Sequence, residues 1–132
     1  MKKKYVLDSG ILPLYFAGRS DVGKYINDIY KGLAEGYMCE INVAEFLYNY
    51  ARIFGWDAAV TKNKLLRTSP IRIVGVNEEM SLEAAKLKLK YLTKLSLADC
   101  YLIALAKQLK ATILTTDSTI REYHKKTILF QI

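Results

Sequence analysis

Four acidic residues, Asp8, Glu45, Asp99 and Asp117, do not read as surface decoration when taken as a set. Asp8 directly follows the apolar run Tyr5-Val6-Leu7, and Asp117 follows Ile113-Leu114-Thr115-Thr116 in the same way. Both are therefore expected at the carboxyl edge of a sheet. Glu45 comes three residues after Asn42, and Asp99 three after Ser96, which places each in the first turn of a helix. Singly, each has a structural explanation. Asp8 suits a turn, Asp117 suits a helix cap, and Glu45 and Asp99 suit capping boxes opened by Asn42 and Ser96. Glu45 also shares a polar stripe with Asn49 and Arg52. Jointly the balance changes. Two carboxylates ~4 Å apart repel by about 4 kcal/mol at an effective dielectric near 20, and a divalent cation between them removes that cost. Oxygen ligands without His or Cys suit Mg²⁺ or Mn²⁺ rather than zinc.

The elements that must position these groups follow from periodicity. Lys4–Asp8 reads as a short buried strand. Gly10–Phe16 reads as a short helix with Pro13 in its first turn. Over Ser20–Glu35, Val22, Tyr25, Ile26, Ile29, Tyr30 and Leu33 share one helical face. Ser20 is the expected cap there and Gly36 the expected stop. Tyr37–Ile41 is a second candidate strand, and a helix capped by Asn42 runs to Phe54. A further helix spans Asp57–Arg67, and Ile71–Val76 is a third strand. Asn77 caps a helix that turns lysine-rich, and Ser96 caps another that reaches Leu109. Ala111–Thr115, Ser118–Lys125 and Thr127–Phe130 complete the chain as strand, helix and strand. Strands alternating with helices predict an α/β fold in three layers, α/β/α, with a parallel sheet of four to five strands. Sites in such sheets form beyond the carboxyl ends of the strands, where the strand order reverses.

The chain has 132 residues, 52% hydrophobic and 25% charged, with a net charge of +7. This predicts a single globular domain over residues 1–132 and favours an anionic partner, with nucleic acid first among them. Cys39 and Cys100 form no C-x-x-C pair and sit in apolar settings, as small core residues of a reducing compartment do. His124, among Arg121, Lys125 and Lys126, reads as a surface residue. Lys2-Lys3-Lys4 opens the chain, but Asp8 interrupts the following apolar run too early for a signal peptide. No stretch has the length of a membrane span. A cytoplasmic location is expected.

Four segments carry a family resemblance: YVLDSGIL, INVAEFLY, LSLADCYLIALA and ATILTTDSTI. In their order and spacing, and over essentially the whole chain, they resemble PIN-domain nucleases of the VapC toxin type. The resemblance implies metal-dependent hydrolysis of RNA phosphodiesters with Mg²⁺ or Mn²⁺. It implies an acidic site of Asp8, Glu45, Asp99 and Asp117, with the metal held mainly by Asp8, Asp99 and Asp117, and Ser96 and Thr115 in support. It further implies a cognate antitoxin and a homodimer. Gly10 departs from the Ser or Asn frequent at its position. Glu40 competes with Glu45 for the second acidic place; Glu45 is preferred because it opens the helix while Glu40 lies in the expected strand.

Lys86, Lys88, Lys90 and Lys94 precede the Asp99 helix and are candidates for lining an RNA approach, against the alternative of a solvated helix face. Other classes fit less well. A haloacid-dehalogenase-like phosphatase needs an Asp where Gly10 stands. A receiver domain needs a phosphoacceptor after its third strand, and Ile71–Val76 offers none. Neither G-x-G-x-x-G nor a P-loop is present. The remaining rival is a PIN-fold module that binds RNA or protein without catalysis.

Overall fold

The computed structural model describes residues 1–132. Five strands form one parallel sheet: β1 (Lys3–Leu7), β2 (Ala34–Cys39), β3 (Arg72–Val74), β4 (Thr112–Thr115) and β5 (Thr127–Leu129), in the order β3-β2-β1-β4-β5. The connections supply α1 (Ile11–Phe16), α2 (Ser20–Tyr30), α3 (Glu40–Phe54), α4 (Trp56–Arg67), α5 (Glu78–Lys90), α6 (Leu97–Leu109) and α7 (Ser118–Tyr123). This is the expected three-layer α/β/α arrangement.

The layers follow from the two-residue alternation of strand side chains. Val6, Tyr37, Cys39 and Ile113 point to one face, where Met80 and Ala84 of α5, the apolar run of α6 and Ile120 of α7 cover them. Tyr5, Leu7, Met38 and Leu114 point to the other, against Ile11 and Leu12 of α1, Val22, Ile26 and Ile29 of α2, and Val43 and Phe46 of α3. β1 is central: Val6 is in register with Tyr37 on one side and Ile113 on the other. Because both faces are covered, Val6, Leu7, Ile113 and Leu114 all have no solvent exposure. Cys39 and Cys100 are buried free thiols, and no helix is long and apolar enough to cross a membrane.

Several boundaries differ from the sequence reading. The helix expected to reach Glu35 ends at Tyr30. Gly32, at φ +74°, takes the left-handed turn, with its N–H bonded to Ile29 O and that of Leu33 bonded to Asp28 O. This is the Schellman closure that a glycine just beyond a helix permits. Leu33, assigned to the apolar face, is consequently exposed. Ser20 makes no capping bond either; Arg19 occupies the cap position and pairs with Asp21. Gly36 lies within β2, where close packing explains it. A Cβ there would stand 2.5 Å from Ile29 Cδ1. His124 is half-buried rather than free at the surface, with Nε2 2.9 Å from Ala111 O.

Gly36→Ala is expected to destabilise the fold by about 1–3 kcal/mol through overpacking against Ile29. Adding Ile29→Val, which removes the nearest methyl group, should recover part of the loss. Urea unfolding of the single and double variants checks this.

Candidate functional site at the sheet's carboxyl edge

The chain leaves β1 for α1 on one face of the sheet and leaves β4 for α7 on the other. β1 and β4 are neighbours. The crevice between their carboxyl ends is thus the point where strand order reverses, the usual location of a site in an open α/β sheet. Asp8 and Thr115 stand there. The Asp8 N–H extends the ladder to Leu114 O at 2.9 Å, which fixes the residue immediately after the last paired position of β1.

The Asp8 carboxylate is 8% exposed. Its Oδ1 accepts the Ser9 N–H at 2.7 Å, and its Oδ2 accepts the Thr115 hydroxyl at 2.6 Å. Burial pushes its pKa from the ordinary 3.8 up to about 6; the bonds from Thr115 and Ser9 oppose that rise, and the negative charges of Asp99 and Glu45 add to it. Thr115, fully buried, serves both strands' ends: its oxygen also accepts the Asp117 N–H at 3.0 Å. Gly10 fits the same region. A Cβ on it would stand 2.8 Å from Thr116 Oγ1, so the departure from the family pattern leaves room for a threonine hydroxyl.

The other acidic residues arrive by different routes. Asp99 sits at the start of α6 in a complete capping box: Ser96 Oγ accepts the Asp99 N–H, and Asp99 Oδ2 accepts the Ser96 N–H, both at 3.1 Å. The box engages Oδ2 and still leaves the carboxylate close enough to act on Asp8. Asp117 caps α7, its Oδ1 accepting the Thr119 N–H at 2.9 Å. The structure therefore places Asp99 and Glu45 close enough for their charges to act on Asp8, and Asp117 is joined to Asp8 through Thr115.

The two candidates for the second acidic position, Glu45 and Glu40, have different surroundings. α3 begins at Glu40, directly after β2, so Glu45 lies in its second turn and Asn42 is not its cap. Glu40 is turned away. It forms a two-bond pair with the Arg67 guanidinium at 2.7 and 2.9 Å, which holds its carboxyl below the usual range. Asn42 is instead wholly buried, donating to Glu45 Oε1 at 3.1 Å and to Ala98 O at 3.4 Å. It thereby ties α3 to the first turn of α6. Its Oδ1 has no partner. Asn42 is thus a buried link between helices rather than the cap its sequence position suggests, and the one local sign of this is its spacing of three from Glu45.

Of the four lysines, Lys88 turns its ammonium inward, donating to Leu92 O and Leu95 O at 2.8 and 2.7 Å. It braces the turn between α5 and α6. Lys86, Lys90 and Lys94 are exposed, and Lys86 shares a groove with Glu79, Glu83 and Lys107.

The donor chemistry of this edge suits a hard divalent cation. The available groups are carboxylate, hydroxyl and amide oxygens, one buried amide oxygen lacks a partner, and no protein cation offsets the charges acting on Asp8. The acidic groups do not converge into a ready-made cage of three or more.

A parallel five-stranded sheet between two helical layers, with a buried Asp8 at the β1–β4 crevice, is the setting for the comparison with known proteins. The chain belongs to the PIN domain family, whose match spans residues 5–126. Similar solved structures include toxin–antitoxin complexes and a VapC toxin. One is a toxin–antitoxin complex from Klebsiella pneumoniae, with 15% identity and a TM-score of 0.71, covering 97% of this chain and 99% of that one. Another is VapBC2 from Rickettsia felis bound to a DNA fragment from their promoter, with 14% identity, a TM-score of 0.74 and coverage of 97% and 98%. A third is VapC20 from Mycobacterium tuberculosis, a Sarcin-Ricin loop cleaving toxin, with 13% identity, a TM-score of 0.70 and coverage of 91% and 95%. At these identities the likeness is one of fold. No curated protein sequence matches the chain.

The raised pKa of Asp8 makes stability depend on pH. Between 3.8 and about 6 the folded state holds a proton that the unfolded state has lost. Stability of the metal-free protein should therefore fall as pH rises through that window, by about 3 kcal/mol from this group. Asp8→Asn should flatten the step and, after the loss of one accepted hydrogen bond, be about 1–3 kcal/mol more stable than wild type at pH 7. Urea titrations in EDTA between pH 4 and 7 measure both. Thr115→Val leaves Asp8 Oδ2 and the Asp117 N–H without their partner and should destabilise by about 1–3 kcal/mol.

Proposed function

We infer that this chain is a metal-dependent endoribonuclease that hydrolyses RNA phosphodiester bonds, acting as the toxin of a toxin–antitoxin pair. The observation that carries the reading is the buried Asp8 carboxylate at the switch point, with the charges of Asp99 and Glu45 acting on it and no protein cation opposing them. Membership of the PIN domain family and the VapC-type structural neighbours support it.

In this reading Asp8 and Asp99 hold Mg²⁺ or Mn²⁺, with Asp117 as the third acidic ligand, directly or through water. When bound, such an ion acidifies water and offsets charge on the phosphate oxygens. Thr115 holds Asp8 and the backbone of Asp117 in place, and Ser96 does the same for Asp99. Glu45, steadied by Asn42, orients the attacking water. Lys86, Lys90 and Lys94 attract the RNA backbone toward the start of α6.

Two exposed apolar areas support protein partners, an antitoxin and a second copy of the chain. Ile53, Phe54 and Trp56 at the α3–α4 junction are 76%, 60% and 67% exposed. Leu82, Leu89 and Leu92 on and after α5 are also exposed. Single large apolar residues at a surface are ordinary, but contiguous ones mark interaction sites.

Purified protein is expected to cleave single-stranded RNA with Mg²⁺ or Mn²⁺ and to stop in excess EDTA. Asp99→Asn should abolish cleavage while costing no more than about 1 kcal/mol of stability, because Asn can still serve the capping box. Cleavage that persists in EDTA would refute the metal mechanism. Tight RNA binding without cleavage by wild type would favour a silent binding module. Light scattering after size exclusion reads the oligomeric state.

A further inference from the structure

Five lysines gather at the opposite end of the strands from Asp8 and Thr115. Lys2 precedes β1, Lys3 and Lys4 are its first two residues, Lys110 precedes β4, and Lys126 precedes β5. Because the strands are parallel, all five come to the amino edge of the sheet, where they line one groove of about 460 Å³ with Tyr25. No acidic residue lines it. Two carboxylates lie outside its rim: Glu35, which senses Lys2 and Lys4 and is also engaged by the Tyr37 hydroxyl and Arg72, and Asp28, whose charge reaches Tyr5. Lys2, Lys3, Lys110 and Lys126 are exposed, Lys4 is half-buried in register with Glu35, and the five lysines share a groove that no carboxylate lines, while net charge stands at +7. Holding like charges together opposes the compact state, and a bound polyanion relieves that repulsion.

We propose that this amino-edge groove is a second RNA-binding site, which holds the phosphate backbone of the RNA outside the segment presented to the acidic edge. The proposal rests on the reading of the chain as an RNA-acting protein. Ligand choice follows from the side chains. Paired recognition of a protein carboxylate favours the planar arginine fork, and no arginine lines the groove. Lysines are mobile point charges suited to successive phosphates. From Lys3 to Asp8 the strand rises about 16 Å. At about 3.4 Å per nucleotide along a stacked strand, an RNA must supply at least about five nucleotides to reach from one edge to the other.

The test measures binding of a fluorescent 20-nucleotide single-stranded RNA in EDTA, where cleavage is not a readout. The triple variant Lys2→Gln/Lys3→Gln/Lys126→Gln is compared with wild type and with a charge-matched control, Lys31→Gln/Lys64→Gln/Lys107→Gln. The groove variant should bind about tenfold or more weakly at 0.1 M salt, and its log K against log salt slope should shrink by about 2, at ~0.7 per lost phosphate contact. The control should stay close to wild type. Equal losses in both variants would mean net charge rather than the groove and overturn the proposal, as would unchanged binding by the groove variant or no binding by wild type. A polyglutamate peptide of matched length that displaces the RNA at equal concentration would assign the groove to an acidic protein instead. Failure of wild type to cleave RNA would refute the nuclease reading and leave this comparison intact.

Discussion

The hydrogen bond from the Thr115 hydroxyl to Asp8 is the constraint on which the rest of the site depends. It joins residues far apart in sequence at the ends of adjacent strands, and both groups are almost wholly out of solvent. A buried carboxylate is costly unless its lone pairs are occupied. Here two of them are, by a side-chain hydroxyl and a backbone N–H. The same threonine oxygen orders the backbone of Asp117, so one residue sets the geometry of two acidic positions. Its own location is secured by the β1–β4 ladder and the apolar layers on either side.

The helices contribute by where they begin. α6 opens with Ser96 and Asp99 locked in reciprocal bonds, which holds that carboxylate at the edge without a separate support. α3 opens directly from β2, and its inward amide, Asn42, reaches across to α6. Glu45 therefore inherits its position from two helices at once. The bonds by which Asp99 caps the helix also hold its carboxylate in place.

Legibility from sequence varied with the range of the interaction. The alternation in Tyr5-Val6-Leu7 and Ile113-Leu114 marks strands buried on both faces, and Asn77 and Ser96 are visible as caps because a cap acts within three residues. The apolar spacing of α2 points to Gly36 as its stop, but the chain already turns at Gly32, and Gly36 lies in a strand packed against Ile29. Glu40 could not be separated from Glu45 on sound grounds, since its partner Arg67 lies on the next helix. The inward turn of Lys88 and the gathering of Lys2, Lys110 and Lys126 depend on tertiary contacts that no local pattern records.

The parallel sheet sorts the chain's variable parts. Every strand enters from one edge and leaves at the other, so the segments before the strands and those after them never share a surface. Substitutions separated by more than about 7–10 Å without common partners combine additively. Residues around Lys3 and Lys126 can thus drift or be redesigned as one module, and those around Asp8 and Thr115 as another, with neither set constraining the other through the rigid core between them.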